Sequence, residues 1–458
     1  MHIKHKAKQK KSIFIDIFKN HISTIKDTLP TNIYKKKCTY ATDSWFTTKY
    51  YKVNNVSNNT SLKNKFPKEY IKSTKVTMIL TDTQKQILNK WFTANTDMYN
   101  ATLDYLRINY PLYKETIIRD KLKALNIKES TNFIFLRGKL KDIRDRIQST
   151  SGLLNTRIYT HILDCAIKQV ATNLKSAITN TLRGNFKRFR IKFWKYTRPS
   201  QTLDIELSYI RNNQICPYVF GDIKYIYNKK DYILPQITCG IKINYNKITN
   251  EYSLLIPEKL KPIQQPIKHS NIISLDPGLR TFMTGLSENN AIKIGENVNK
   301  IVALKLKRLN KITNNENIPQ KIKKKNTQMI NRKIEHMIDD LHWKTIGHLT
   351  NNYSNILLGN MSAKSIVKKN QSVLSSIQKT ACLRTRYYVF QQRLAYKCIA
   401  TKTNFKLVDE MYTSKICSSC GNYNEKLKGE KIYNCESCLY EVDRDINGCR
   451  NIYFKSLL

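Results

Sequence analysis

Acidic residues are scarce in this chain. Only 34 of its 458 residues are Asp or Glu, against 80 Lys and Arg, so the formal net charge at pH 7 is +46. That surplus is far larger than the roughly 2–8 net charges that keep a small domain soluble, and it requires a polyanionic partner. The cations are spread over the whole sequence instead of lying on one amphipathic helix. We therefore expect the partner to be nucleic acid and not a membrane surface.

Long apolar runs are missing as well. The sequence has no run of 18 or more apolar residues, so we expect no membrane-spanning helix. The basic residues from Met1 to Lys11 lack the apolar stretch of a signal peptide. The 11 cysteines are unevenly spaced, unlike a secreted disulfide framework, so a reducing intracellular compartment is expected. A hydrophobic fraction of 41% excludes general disorder.

Hydropathy and charge patterns predict an α+β multidomain protein. A polar, basic and poorly ordered extension comes first. An amino-terminal lobe follows in three parts, and we expect it to be a small β-barrel with an inserted helical domain. An α/β domain then begins, receives a cysteine-rich insertion and is completed by a final helix. In chain order, these segments are residues 1–70, 71–110, 111–183, 184–262, 263–414, 415–441 and 442–458.

Two helices of the amino-terminal lobe have clear sequence signals. Thr81 followed three residues later by Gln84 is a capping-box pattern, which predicts that a helix starts there. Apolar residues from Ile158 to Leu182 repeat at 3.6-residue spacing, which predicts a second, amphipathic helix.

Cations and aromatic rings alternate from Phe186 to Tyr196. This pattern is typical of a strand or ribbon whose charges meet phosphates and whose rings stack on bases or sugars. The alternative is a strand with aromatic residues in the core and solvated cations. For the segment as a whole we favour nucleic-acid contact, with these candidates: Lys187, Arg188, Arg190, Lys192, Trp194 and Lys195.

The carboxy-terminal half begins with a buried-strand pattern, Asn271 to Leu275, that ends at Asp276. The predicted order of elements after it, βββαβαβα, is that of a ribonuclease-H-like (RuvC) nuclease domain. Such a domain needs several carboxylates that converge on divalent metal, because two Mg²⁺ ions can activate a water and stabilise the leaving oxygen of a phosphodiester. Asp276 is the first candidate ligand.

The second carboxylate is not at its usual place. The fourth strand ends at Gly359, and no Asp or Glu occurs between Asp340 and Asp409. Asp409 and Glu410 follow the fifth strand, which lies about 4.8 Å from the fourth in this fold. We predict that Glu410, which has the longer reach, serves the place of the missing acid. The alternative is that both acids are exposed in a loop and that the nuclease site is inactive.

The third carboxylate lies where the last helix begins, at Asp443-Arg444-Asp445. Either Asp is suited to cap that helix, so a structural role competes with metal binding. We predict that Asp445, nearer the body of the helix, is the metal ligand. The earlier pair Asp339 and Asp340 is expected to cap or to pair with lysines, and neighbouring His342 to pack without chemistry.

The cysteine-rich insertion has the most specific motif. Two CxxC knuckles separated by 14 residues present four thiolates to one tetrahedral Zn²⁺, with no position left for catalysis. Redox chemistry is the weaker alternative. The predicted structural zinc ligands are Cys417, Cys420, Cys435 and Cys438.

These motifs together resemble the TnpB/Fanzor family of transposon-encoded, RNA-guided DNA endonucleases. The resemblance is carried by Ser274 to Gly278, Asp340 to Lys344, Thr413 to Gly421 and Asp443 to Ile452. TnpB enzymes carry the second glutamate at the end of the fourth strand. Fanzor proteins, from eukaryotes and their viruses, resemble this chain in placing a Glu just before the TSK segment, here Glu410.

The resemblance implies a catalytic trio of Asp276, Glu410 and Asp445 on two Mg²⁺, with one structural Zn²⁺. It implies a guide RNA from the same locus and double-stranded target DNA with a short adjacent motif, with one protein chain per RNA in the host nucleus. In the terms of that family, residues 111–183 correspond to the recognition part and 184–262 to the wedge-like part. The alternative function is a catalytically inactive RNA- and DNA-binding protein of transposon origin.

Overall fold

The computed structural model describes residues 48–52, 67–124, 127–150, 158–263, 270–288, 290–367, 374–427 and 429–457. They form two compact units of mixed sheets and helices. The central unit is Ile71–Leu260, and the carboxy-terminal unit is Lys261–Leu458 together with the described residues before Ile71. In the described part of the chain, no helix has the length and apolarity to cross a membrane.

The central unit contains a six-stranded sheet. Strand β1, Thr48–Lys52, belongs to the other unit. The strands of the central unit are β2 Tyr70–Ile79, β3 Ile117–Ile118, β4 Arg188–Phe189, β5 Ser200–Ile205, β6 Ile210–Arg211, β7 Gln214–Ile215, β8 Lys224–Tyr227, β9 Lys230–Asp231, β10 Ile241–Asn246 and β11 Glu251–Leu260. The order in the sheet is β5-β10-β11-β2-β8-β9. Among the described residues no pairing joins β5 to β9, so the sheet is open. The expected small β-barrel is therefore not confirmed.

Helices of the central unit are inserted between β2 and β5. Thr81 caps the first of them through the expected reciprocal bonds with Gln84, and the apolar face of the longest one after it is buried as its periodicity predicted. These helices are α1 Asp82–Asn109, α2 Ile127–Ser130, α3 Phe133–Lys139, α4 Lys141–Thr150 and α5 Thr160–Leu182, and a short α6 Pro217–Phe220 follows β7.

A second six-stranded sheet forms the core of the carboxy-terminal unit. Its order is β1-β14-β13-β12-β15-β16. Strands β12, β15 and β16 are parallel neighbours with β15 in the middle, which is the arrangement on which the expectation for Glu410 depends. The strands after β11 are β12 Ser270–Pro277, β13 Thr281–Ser287, β14 Asn290–Glu296, β15 Tyr353–Gly359, β16 Asn404–Val408, β17 Ile432–Asn434 and β18 Glu441–Asp443.

Strand β1 lies in the segment 1–70, which we expected to be a poorly ordered extension. For Thr48–Lys52 that expectation was wrong, because β1 pairs antiparallel with β14. The outer edge of β14 offers backbone groups that need partners, and such an edge captures even a polar segment. Residues 1–47 and 53–66 lie outside the described residues.

Helices cover this sheet. They are α7 Val298–Asn314, α8 Gln320–Asn352, α9 Ala363–Ile366, α10 Ser376–Arg384, α11 Tyr387–Ala400 and α12 Arg444–Ser456. Apolar residues of α7, α8, α10 and α11 pack with those of the sheet in one core cluster. Helix α12 packs against the sheet around β12, and its buried Ile452 contacts apolar residues of β12, β15 and β16. The carboxyl ends of β12 and β15 therefore lie beside the beginning of α12.

Candidate functional site

Asp276 lies near the carboxyl end of β12, at the centre of the candidate site. Burial raises its pKa well above the usual range, and the nearby carboxylates of Glu410 and then Asp445 raise it further. The guanidinium of Arg444 acts in the opposite direction. The structure thus brings the three predicted acids into one electrostatic environment, in which each negative charge disfavours the others.

A glycine of α12 allows this close approach. A Cβ atom added at Gly448 would lie 2.7 Å from Oδ2 of Asp276, which is closer than real Cβ contacts. The next residue, Cys449, is buried and donates from its Sγ to the carbonyl of Thr284 at 3.2 Å. Only a residue without a side chain at position 448 lets α12 lie directly against the Asp276 carboxylate. This role of Gly448 was not predicted from the sequence.

The side chain of Glu410 lies over the end of β15. A Cβ atom added at Gly359 would lie 2.6 Å from Oε1 and 2.8 Å from Cγ of Glu410. Gly359 is in register with Val408, so the chain leaves β16 beside Gly359 and reaches Glu410 two residues later. Glu410 thus occupies the place where a side chain of residue 359 would begin, which is the position predicted from the strand spacing.

Glu410 and its neighbour Asp409 have different surroundings. Oε1 of Glu410 is buried and has no hydrogen-bond partner. Burial raises the pKa of Glu410 to about 7, the charge of Asp409 adds to the effect, and Lys455 opposes it. The Asp409 side chain is 66% exposed and pairs with Nζ of Lys455 at 2.9 Å. Of the two acids, only Glu410 points into the site.

The two acids at the start of α12 also have separate roles. Oδ1 of Asp443 accepts hydrogen bonds from the backbone N–H groups of Asp445 and Ile446, at 3.0 and 3.4 Å, so Asp443 is the helix cap. Its Oδ2 pairs with Nζ of Lys293 at 2.5 Å. Asp445 is only partly buried, and its Oδ1 lies 3.3 Å from the Arg444 guanidinium. Of these two acids, Asp443 caps the helix and Asp445 does not.

These acids suit a hard divalent cation. Carboxylate oxygens are the preferred ligands of Mg²⁺, and a cation would offset the mutual repulsion of the three acids and pair with the orphaned Oε1 of Glu410. The three acids are less tightly gathered than the cysteines. In the part of the chain that the structure describes, the four thiolates form the only group of three or more such ligand atoms within 4.8 Å of one another.

Two side chains that we did not predict hold the turn after Asp276. The hydroxyl of Tyr387, at the start of α11, donates to the carbonyl of Gly278. Nδ2 of Asn299, at the start of α7, donates to the carbonyl of Leu279 at 2.8 Å. Two helices thereby fix successive carbonyls of the turn. Both partners are far from the turn in sequence, so only the folded structure identifies them.

The four predicted zinc ligands come together. The Sγ–Sγ distances are 3.7 Å for Cys417–Cys438 and 3.6 Å for Cys420–Cys435. A tetrahedron with Zn–S bonds of about 2.3 Å has edges of about 3.8 Å, so the cluster fits a structural zinc site without an open position.

Asparagines of α12 connect this helix to the cysteine-rich insertion. Asn447 accepts from the backbone N–H of Ser418 at 2.9 Å and donates to the carbonyl of Ile416 at 2.7 Å. Asn451 donates to the carbonyls of Thr413 and Ile416. Both asparagines are fully buried. The insertion and the helix that carries Asp445 are therefore one hydrogen-bonded assembly.

The predicted nucleic-acid segment is mostly irregular. Its only strand is β4, Arg188–Phe189, so the expected strand or ribbon is limited to these two residues. Arg107 explains part of the difference, because its guanidinium donates to the carbonyl of Ile191 and lies over the ring of Phe193. Five of the six candidate residues are exposed cations, available to phosphates: Lys187, Arg188, Arg190, Lys192 and Lys195.

The sixth candidate, Trp194, is already stacked within the protein. Its ring is parallel to that of Tyr99 with centroids 3.6 Å apart, and the guanidinium of Arg198 lies 3.6 Å from its centroid. The backbone of Trp194 also exchanges two hydrogen bonds with the Asn100 side chain. These contacts favour the alternative of a packed aromatic residue at this position, and nucleic-acid contact by Trp194 stays a prediction.

His342 is a packing residue, as expected. Burial lowers its pKa to about 4, so the ring is neutral. Its Nε2 lies 2.9 Å from the carbonyl of Thr385, which only accepts, and its Nδ1 lies 3.2 Å from the guanidinium of Arg393, which only donates. These partners assign the proton to Nε2. Asp340 pairs with Lys344, whereas Asp339 pairs with arginines.

The chain is similar to one protein family, to two proteins by sequence and to one solved structure. The family described as Cas12f1-like, TNB domain, matches residues 387–452. TnpB-like protein L770 of Acanthamoeba polyphaga mimivirus is 32% identical over 395 residues, which are 84% of this chain and 73% of that protein. CRISPR-associated endodeoxyribonuclease Cas12f1 of Sulfoacidibacillus thermotolerans is 39% identical over 67 residues, 14% of this chain and 16% of that protein. A Cas12f1–sgRNA–target DNA complex matches with a TM-score of 0.45 and 15% identity, over 82% of this chain and 83% of that one.

Proposed function

This chain belongs to the family of TnpB-like proteins, and from that premise we propose that it is an RNA-guided DNA endonuclease of the Fanzor type. It binds a guide RNA from its own locus, recognises a short motif beside the target, and hydrolyses DNA phosphodiester bonds in a RuvC-like site. The name of the relative Cas12f1, an endodeoxyribonuclease, agrees with this reaction. We also propose that it acts in the nucleus of a eukaryotic host cell.

The observation that carries this proposal is the contact between Glu410 and Gly359. The sheet has an acid at the end of β12 and none at the end of β15, and the acid after β16 fills that place. The carboxylate of an acid in an exposed loop would be solvated. Oε1 of Glu410 is instead buried without a hydrogen-bond partner, which is unfavourable unless a cation or a proton is bound.

Asp276, Glu410 and Asp445 are the residues that would hold Mg²⁺. When bound, two Mg²⁺ ions supply activation of a water and stabilisation of the leaving oxygen. The residues of the chain prepare this site. Asp276 and Glu410 must release protons to bind a cation, and the Asp443 cap fixes the backbone of Asp445. The exposed cations between Lys187 and Lys195 are proposed to contact phosphates.

The test is to purify the protein with RNA transcribed beside its gene, sequence that RNA, and add matching target DNA with Mg²⁺. We expect cleavage that is lost in Asp276→Ala, Glu410→Ala and Asp445→Ala. Asp409→Ala is the matched control, because Asp409 adjoins Glu410 but is exposed and paired with Lys455. It should cleave as the natural chain does.

Two results would contradict the proposal. RNA-guided binding of target DNA without cleavage would show a catalytically inactive nucleic-acid-binding protein. Cleavage that survives all three alanine substitutions would place the nuclease site elsewhere in the chain.

A further inference from the structure

A two-helix arm extends from the carboxy-terminal unit. We define the arm as residues 307–333, which are the second half of α7, the connection, and the first part of α8. No side chain in the arm is buried, whereas Leu306 before it and Ile334 after it are buried at 6% and 0% exposure. Of the residues of the arm, all of which the structure describes, only Leu309 and Ile330 pack against the core cluster, so the arm has few of the apolar contacts that usually keep a helix folded. The arm is therefore suited to a partner outside the protein.

The charge of the arm identifies the chemistry of that partner. Glu316 is its single acid, against nine cations. On α8, Lys321, Lys324, Lys325 and Arg332 have the spacings i, i+3, i+4 and i+11, which place them on one face of the helix. So many like charges on two adjacent helices repel one another unless a polyanion neutralises them. The nine cations are Lys307, Arg308, Lys311, Lys321, Lys323, Lys324, Lys325, Arg332 and Lys333.

The arm also lacks the means to bind unpaired bases. It contains no Phe, Tyr, Trp or His, although the protein has aromatic residues at 10% overall. Unpaired bases are usually bound by stacking on aromatic rings, whereas a paired nucleic acid presents its phosphates outward and hides its bases. Seven of the nine cations are lysines, which act on phosphates as point charges. This composition favours a paired backbone over a single strand.

We propose that the arm, residues 307–333, binds the sugar–phosphate backbone of a base-paired RNA stem. RNA is favoured over DNA because the repulsion within the arm must be relieved throughout the life of the folded protein. A guide RNA remains bound, whereas target DNA is bound only transiently. The choice of RNA, and the identification of the stem with the guide RNA, rest on the proposed function, whereas the binding of a paired phosphate backbone rests on the charge and composition of the arm.

A charge-neutralised arm provides the test. The variant Lys311→Gln/Lys321→Gln/Lys324→Gln/Lys325→Gln removes four exposed charges near the tip of the arm. The matched control removes four exposed charges from the central unit: Lys224→Gln, Lys229→Gln, Lys230→Gln and Lys247→Gln. Since none of these side chains is buried, both variants should retain the circular dichroism of the natural chain, the control should keep its melting temperature, and the arm variant should keep or slightly raise it because fewer like charges repel one another.

The probes are an RNA hairpin with a stem of about 20 base pairs, an unpaired RNA of the same length, and a DNA duplex of the stem sequence. Dissociation constants are measured with each full-length protein over a range of salt concentrations. We expect the arm variant to bind the hairpin at least about tenfold more weakly than the control does. The slope of log K against log salt should fall by about 0.7–0.9 for each lost phosphate contact.

Three results would overturn the inference. One is equal hairpin affinity of the arm variant and the control, and another is an equal loss for unpaired RNA. The third is a loss for the DNA duplex alone, which would assign the arm to target DNA. The experiment measures binding and not cleavage, so its result is independent of nuclease activity. If any of these three results is found while RNA-guided cleavage is intact, only the proposed role of the arm is overturned and the proposed function stands.

Discussion

The carboxylate of Glu410 lies where a side chain of residue 359 would begin, 2.6 Å from the position of its Cβ atom. The two positions are therefore mutually exclusive: a side chain at 359 and the inward Glu410 cannot occupy the same space. The glycine at the end of β15 and the glutamate after β16 form one structural feature. A substitution at either position should therefore alter the structure at the other.

Gly359→Ala should displace Glu410 and reduce cleavage by at least about tenfold, because Cβ contacts below 3.0 Å force the neighbour to move. The measurement is the rate of target cleavage at fixed Mg²⁺ concentration. Gly347→Ala is the matched control, since a Cβ at Gly347, within α8, would meet no atom within 4 Å. It should retain activity and gain up to about 1 kcal/mol of stability. Full activity of Gly359→Ala would contradict the placement of Glu410.

The raised pKa of Glu410, about 7, makes stability depend on pH. The folded, metal-free protein keeps a proton on Glu410 that the unfolded chain, with a carboxyl pKa near 4.3, has already released. Its free energy of unfolding should therefore fall as the pH rises from about 4.5 to about 7. The raised pKa of Asp276 acts in the same direction. Urea unfolding at pH 5 and pH 8 measures the effect.

Two comparisons make this prediction specific. Glu410→Gln should show a smaller loss of stability between pH 5 and pH 8, since an amide does not titrate. Added Mg²⁺ should stabilise the natural chain more at pH 8 than at pH 5, because the cation competes with protons for the same oxygens. An identical pH dependence of the natural chain and Glu410→Gln would contradict the prediction.

Lys293→Met should destabilise the protein by about 3 kcal/mol, since it leaves the Asp443 carboxylate without its charged partner. The side chains of Lys293 and Asp443 are 7% and 23% exposed, so water replaces the partner poorly. Urea unfolding gives the change in free energy. Lys344→Met breaks the more exposed pair with Asp340 and should cost at most about 1 kcal/mol. Equal costs for the two variants would argue against a structural role of Lys293.

Tyr387→Phe should loosen the turn that follows Asp276. The substitution keeps the ring stacked on Phe282 but leaves the Gly278 carbonyl without its donor, at a cost of about 1–3 kcal/mol. We expect a higher Mg²⁺ concentration for half-maximal cleavage and faster amide hydrogen exchange in the peptide around Gly278. Tyr388→Phe alters the adjacent tyrosine, which is 67% exposed, and should leave both measurements unchanged.

Removal of zinc should disturb the nuclease site as well as the insertion. The natural chain should contain about one Zn per molecule, and Cys417→Ser should lose it, because four thiolates complete the tetrahedral shell. The loss should also weaken the docking of α12, through Asn447 and Asn451, and lower cleavage. Cys239→Ser, outside the cluster, should retain the metal. Elemental analysis and cleavage assays distinguish these outcomes.

Features that depend on local or regular geometry were predicted well from the sequence. The capping box at Thr81 involves residues three positions apart, and the zinc knuckles follow from cysteine spacing alone. The position of Glu410 was predictable because neighbouring parallel strands have a constant separation. In each case a short pattern or a fixed distance was sufficient.

Features that depend on distant partners were not predicted. Trp194 was assigned to nucleic acid because its local pattern says nothing of Tyr99, which stacks on it from α1. The pairing of β1 with β14 depends on an edge that forms only after folding. Gly448 was overlooked for a similar reason, since its closeness to Asp276 depends on how α12 packs.

The contact of Gly448 with Asp276 joins two segments that are distant in sequence. Strand β12 carries Asp276 in the second half of the sequence, and the helix that brings Asp445 is synthesised well after it. Contacts between such distant segments form slowly, because a long loop must close first. A nascent chain that has not reached α12 holds Asp276 and, later, Glu410, but lacks Asp445. The proposed metal site is therefore complete only after α12 has been synthesised and has packed beside β12.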